Sequence, residues 1–222
     1  MAIALTSFEE ALSTVHRRAA DLGRLDDPER RSTLEAEVWH ELGLDPNLGS
    51  SWLQVAAVVD VRLERERWAA GHMPSSYTFR LPFIHAITFL FALDRVDKIL
   101  GKLEAMEGIP SAVCDARARL LAHFPDLRGV RDSSAHIEDR ARGLGKWDRP
   151  LEIKPVENEM VSAPGGALLL ENLVGNRLTS TKADGTCGQV EVSSGSLDIA
   201  REVIQDTINA FRWTGPPRHV PT

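Results

Sequence analysis

Cysteine is scarce in this chain. Cys114 and Cys187 stand alone, which excludes a disulfide framework and a clustered zinc site. No serine or cysteine has the neighbourhood of an activated nucleophile. The segment Gly143-Leu-Gly145-Lys146 lacks the spacing of a phosphate loop. Glu37-Val-Trp-His40 has di-iron spacing but no second copy, so neither a metal nor another cofactor is expected. The longest apolar run, around Phe83–Leu93, is short for a bilayer and contains His85. The N-terminus shows no basic stretch leading into an apolar core. The expectation is a cytoplasmic protein with no membrane partner. There is one tyrosine, Tyr77, and the five tryptophans are scattered, as packing residues are, instead of gathered into a base-stacking platform.

Excess positive charge is also missing. The net charge of −6 argues against broad, non-specific binding of nucleic acid. Its distribution is uneven, however. Residues 117–149 hold eight Lys/Arg and five Asp/Glu, a local +3 that leaves −9 for the remainder.

What is present is mostly helical pattern. Ser7-Phe-Glu-Glu10 reads as a capping box for a helix ending near Gly23. Pro28 opens a second helix that ends near Gly43, and Ser50 or Ser51 caps a third running to Ala70. The charges of Arg62–Arg67 alternate in the manner of a solvated face. A long helix covers Tyr77–Met106 with Pro82 near its start, and a shorter one covers Pro110–His123. Asp94 and Asp97 on the long helix read as surface acids or as the lining of a polar cleft.

Pro125 then begins an amphipathic segment, Asp126–Leu144. Strand-like runs follow at Leu151–Val156, Ala167–Val174, Arg177–Thr181 and Gln189–Ser193, with a turn at Ala183-Asp-Gly185. Ser196 is placed as the cap of a last helix ending near Trp213.

The chemistry-bearing residues lie in the Asp126–Leu144 segment. Arg131 and His136 are five apart, and arginine-to-histidine spacings of this kind arise about twice by chance in a chain of this composition. Five occur, and only Arg131–His136 sits within a continuous helical pattern with an acid directly after the arginine. At 100° per residue, Leu127, Val130, Ser134, Ile137, Ala141 and Leu144 form one stripe. Arg128, Asp132, His136 and Asp139 gather opposite, with Arg128, Asp132 and His136 stacked one turn apart. Arg131 points roughly 140° away from His136 on an ideal helix. Both lie off the core stripe, so replacing either is expected to leave the fold intact. Small residues at Gly129, Ser133 and Ala135 would admit a closely packed partner helix.

An arginine and a histidine so spaced on a late helix resemble the HEPN family, over roughly residues 77–213. The resemblance implies a mainly α, HEPN-like helical bundle over residues 76–222. A small antiparallel β element is inserted before its last helix, at about 151–194. Residues 1–75 are then an N-terminal helical extension packed on the core. The resemblance further implies a homodimer joined through the motif helix, with the cleft where the two motif helices meet. The implied activity is metal-independent RNA cleavage, in the setting of a toxin or phage-defence component with an antitoxin-like protein partner.

His136 would then move protons and Arg131 would neutralise phosphoryl charge. Asp132 would set the imidazole tautomer, and Arg128 would supply a second phosphate contact to the RNA substrate. Glu138 stands where partner-silenced members often carry tyrosine. The other implied reading is a non-catalytic dimerisation or binding module that meets a protein or nucleotide through the motif face.

Overall fold

The computed structural model describes residues 1–21, 27–158 and 161–220. The chain divides into two compact units, Glu9–Leu81 and a second made of Met1–Phe8 with Pro82–Thr222. The expected end of the first helix near Gly23 lies outside the described residues. Helix α1 spans Ala2–Asp21. It starts ahead of Ser7, so the supposed capping box lies inside the helix.

In the Glu9–Leu81 unit, α2 spans Pro28–Leu42 and α3 spans Gly49–Ala69. Asp27 caps α2 by accepting from the backbone N–H groups of Glu29 and Arg30, and Gly43 ends the helix in the left-handed region. Helix α3 begins without a side-chain cap, and Ser51, a proposed cap, is instead buried within it. Leu34 and Val38 of α2 form a core with Val55, Val59 and Leu63 of α3. The charged run on α3 is not simply solvated: Glu66 pairs with Arg30 and Arg62 with Glu41, each at 2.5 Å.

Helix α4 spans Ser75–Glu104 and continues through Pro82. By length and composition it is the one described helix that could cross a membrane. In the Pro82–Thr222 unit it buries Ala86, Phe89, Leu90, Leu93 and Leu100, and also the acids Asp94 and Asp97. Helix α5, Ser111–His123, packs on the last helix, α8, Ser194–Asn209. Ser193 caps α8 by accepting from the Ser196 N–H, so the expected cap, Ser196, is buried three residues further in.

Between them lie two short antiparallel sheets. Strands β1 (Val156–Glu157) and β2 (Ser162–Ala163) pair together, and β3 (Asn172–Val174), β4 (Arg177–Thr181) and β5 (Cys187–Glu191) form a meander. The chain is therefore mainly helical, with a small antiparallel element before the final helix, as its pattern implied.

Strand β4 has its expected limits. Leu151–Val156 is mostly irregular and joins the sheet only at its end. The last four residues of β4 are all buried. Leu178 sits opposite Val190 in the β4–β5 register, while the incoming loop satisfies Thr181 and Ser180 through Leu169 and Glu171. The β4–β5 turn closes at Gly185, whose φ of +81° and 1.7 Å notional Cβ distance to the Glu152 carbonyl oxygen admit only glycine.

Candidate functional site around the Arg131–His136 helix

Helix α6 spans Leu127–Ala135 and packs across β4 and β5. It does not run on as the sequence pattern suggested. His136 breaks it, with φ −128° and ψ 43°, and a short α7, Ile137–Ala141, follows. The break leaves few orphan groups, because His136 N–H still reaches the Asp132 carbonyl and Arg140 N–H the His136 carbonyl.

The cost of the break is offset on the buried side. Leu127 and Val130 are buried as expected, but Ser133 replaces Ser134 and donates its hydroxyl to the Thr181 carbonyl at 2.9 Å. Further along, Arg140 is buried and Ala141 is exposed. The guanidinium of Arg140 donates to the carbonyls of Leu144 and Gly145. From Ser133 on, the buried positions thus fall one residue earlier than the pattern placed them. That shift puts a guanidinium where its hydrogen bonds hold the following loop.

Gly129 and Ser133, two of the small residues expected to admit a partner helix, face the chain's own sheet. A Cβ on Gly129 would meet the Lys182 side chain at 2.5 Å. Lys182 is itself held by Asp126 at 2.6 Å, and Asp126 also accepts the Gln189 N–H. Ala135 remains exposed.

Arg128, Asp132 and His136 come together as the stacking implied. They line one cleft of about 380 Å³ with Asp139, Arg140, Lys146 and Trp147. Arg131 does not join them there. It lines a separate cleft of about 300 Å³ with Asp94, Asp97, Lys98 and Arg117, and Arg128 borders both. The angular divergence read from the helix therefore persists.

The Arg131 Nε lies 3.1 Å from Asp94 Oδ1 and its Nη1 lies 2.9 Å from Asp132 Oδ1. The Nε contact is an ion pair whose N–H is not aligned on the acceptor. Asp132 is the link between the clefts, since it touches Arg131 and also lines the His136 cleft. With its side chain 17% exposed, Arg131 is a structural cation as well as a candidate phosphate ligand. The expectation that it lies clear of the packed interior is corrected accordingly.

Asp94 and Asp97 are core-edge acids, not free surface charges. Asp94 also pairs with Lys98 at 2.8 Å, and Asp97 with Arg117 at 2.9 Å. The Arg117 guanidinium donates to Asp97 and Glu104, and these hydrogen bonds raise it above its ordinary pKa. Burial pushes both cysteine thiols up, which agrees with their reading as non-nucleophiles.

His136, Glu138 and Asp139 each offer a donor atom within 4.8 Å of the others, a spread one divalent cation could span. The sequence pattern does not join these three. Nor does it single out Lys146, and it places Trp147 among the packing residues, whereas Trp147 is 82% exposed at the cleft edge. The only sequence signal for Trp147 was its place in the most basic stretch.

Comparison with protein-family models, with curated proteins and with solved structures returns no match to this chain.

Proposed function

We propose that this chain is a cytoplasmic, metal-independent endoribonuclease of HEPN type, with His136 as its proton-transfer group. The observation that supports this most is the grouping of an exposed His136 with Arg128, Asp132 and Lys146 in one cleft. In the reaction the ribose 2′-oxygen attacks the adjacent phosphorus while losing its proton. The P–O5′ bond breaks, the 5′-oxygen takes up a proton, and a 2′,3′-cyclic phosphate remains. His136 takes the first proton or gives the second. Arg128 and Lys146 neutralise the phosphoryl oxygens as charge develops. Asp132 orients the imidazole, and Arg131 positions Asp132 through their 2.9 Å contact. The family reading adds a homodimer through the motif helix, an antitoxin-like partner and a toxin or phage-defence setting.

One observation favours the second reading, a non-catalytic dimerisation or binding module that meets a protein or nucleotide partner through the motif face. Arg131 is held by Asp94 and Asp132 and lines a different cleft from His136. The test is incubation of the full chain with unstructured RNA in excess EDTA, followed by analysis of the product ends. Cyclic phosphate and 5′-hydroxyl ends support the nuclease. Saturable RNA binding without any product supports the module, and cleavage only on adding a divalent ion overturns the metal-independent mechanism.

A further inference from the structure

Trp147 is held on an unusual support. It is 82% exposed, and it and Asp148 both occupy the left-handed region, with φ of 55° and 57°. Two consecutive non-glycine residues in that region persist only where their surroundings fix them. Here the surroundings do so. Gly145 N–H donates to the Arg149 carbonyl at 2.7 Å, Leu151 N–H to the Gly143 carbonyl at 2.8 Å, and Leu144 bridges Pro150. The buried Arg140 guanidinium clamps the Leu144 and Gly145 carbonyls from beneath. A closed, strained loop therefore turns an indole toward solvent when burial would be the favoured fate of that side chain.

The ring's neighbours suit one kind of ligand. Trp147 edges the cleft that contains His136, Arg128 and Lys146. The Arg149 guanidinium lies 6.0 Å from the ring centroid. Among the described residues, Arg128, Lys146 and Arg149 form no ion pair, so three cations flank an exposed aromatic face. The buried Arg140, which also lines the cleft, has an Nε without a hydrogen-bond partner among the described residues. Flat π-surface with surrounding cations is what an unpaired nucleotide requires: the base stacks and its phosphates are neutralised.

We propose that Trp147 is the base-stacking platform of a single-stranded RNA subsite, with Arg128 and Lys146 holding the flanking phosphates. This inference rests on the reading that the His136 cleft takes RNA, and it concerns binding and not cleavage.

The test is fluorescence anisotropy of a labelled eight-nucleotide oligoadenylate in EDTA, with His136→Ala as the common background to prevent turnover. Adding Trp147→Ala is expected to weaken binding roughly tenfold or more, and Trp147→Phe to weaken it much less, because a ring remains. A series of oligonucleotides, each with one abasic site, is expected to contain one that loses as much on the protein that keeps Trp147, yet nothing further on Trp147→Ala. Equal binding with and without the Trp147→Ala substitution, or equal loss for the Trp147→Phe and Trp147→Ala replacements, overturns the platform. So does a Trp147-dependence that is the same for duplex RNA. Trp147-dependent binding by a protein that shows no cleavage with His136 intact keeps this inference and removes the catalytic proposal. Absence of RNA binding removes both.

Discussion

The guanidinium of Arg131 lies 3.1 Å from the carboxylate of Asp94, whose side chain is only 5% exposed. This contact fixes the motif helix to α4 and changes what a mutation at Arg131 measures. Removing one partner of a buried pair leaves the other charge poorly compensated, and among the described residues Lys98 then offers Asp94 its one remaining ion pair.

Arg131→Ala is therefore expected to destabilise the chain by about 3 kcal/mol. His136→Ala, at an exposed side chain, is expected to change stability by less than about 0.5 kcal/mol. Urea denaturation of both variants checks this, and equal stabilities would contradict the structural role of Arg131. It follows that lost activity in Arg131→Ala cannot be assigned to chemistry without a fold control, whereas lost activity in His136→Ala can.

The boundaries of α2, α4 and β4 were legible because periodicity and turn residues agree there. Pro28 and Gly43 bracket α2, and Gly185 marks the β4–β5 turn. The break at His136 was not legible, since no glycine or proline lies between Ser133 and Ile137. Ser133 bonds to β4 on one side of the break and Arg140 clamps a loop on the other, contacts that no local pattern encodes.

Burial of Asp94 was equally hidden. An acid is assigned to the surface by default, and its partner Arg131 lies 37 positions further along the chain. Arg128, Asp132 and His136 could be grouped in advance because one-turn spacing survives up to the break. Trp147 could not be found, because its exposure depends on two left-handed residues that are not glycine.

Gly129 is pressed by the Lys182 stem, which also lies 2.8 Å from a notional Cβ on Gly188 and ends on Asp126. The stem has little freedom to move aside. Gly129→Ala is expected to cost about 1–2 kcal/mol by overpacking, despite alanine's better helix propensity. A lowered melting temperature confirms this; a raised one would mean that the α6–sheet contact is loose.

The Thr186 hydroxyl donates to Asp184 and, with the Thr186 N–H and the charges of Lys182 and Lys154, holds its carboxyl below the usual carboxylate range. A depressed folded pKa stabilises the fold above the unfolded value of 3.8 and loses that contribution as pH falls through the folded value. Thr186→Val is thus expected to be less stable than the parent at pH 7, with the gap narrowing at pH 3. Denaturant titrations at the two pH values read this directly, and a gap that widened in acid would reverse the sign.

Trp147→Gly sets stability against function. Glycine occupies a φ of 55° without the steric cost that other residues meet, and little packing is lost from a side chain this exposed. Stability is expected to rise by about 1 kcal/mol. RNA affinity is expected to fall in the same variant. A Trp147→Gly protein of lower melting temperature would show that the loop conformation is relaxed with tryptophan in place.

The most direct test of the account is cleavage of RNA in excess EDTA by the parent and by His136→Ala, under single-turnover conditions and with circular dichroism on both. The expected result is cyclic-phosphate product from the parent, and a loss of at least about a hundredfold in rate for a His136→Ala protein that keeps its fold. Equal rates for the two folded proteins would contradict the assignment of the chemistry to His136.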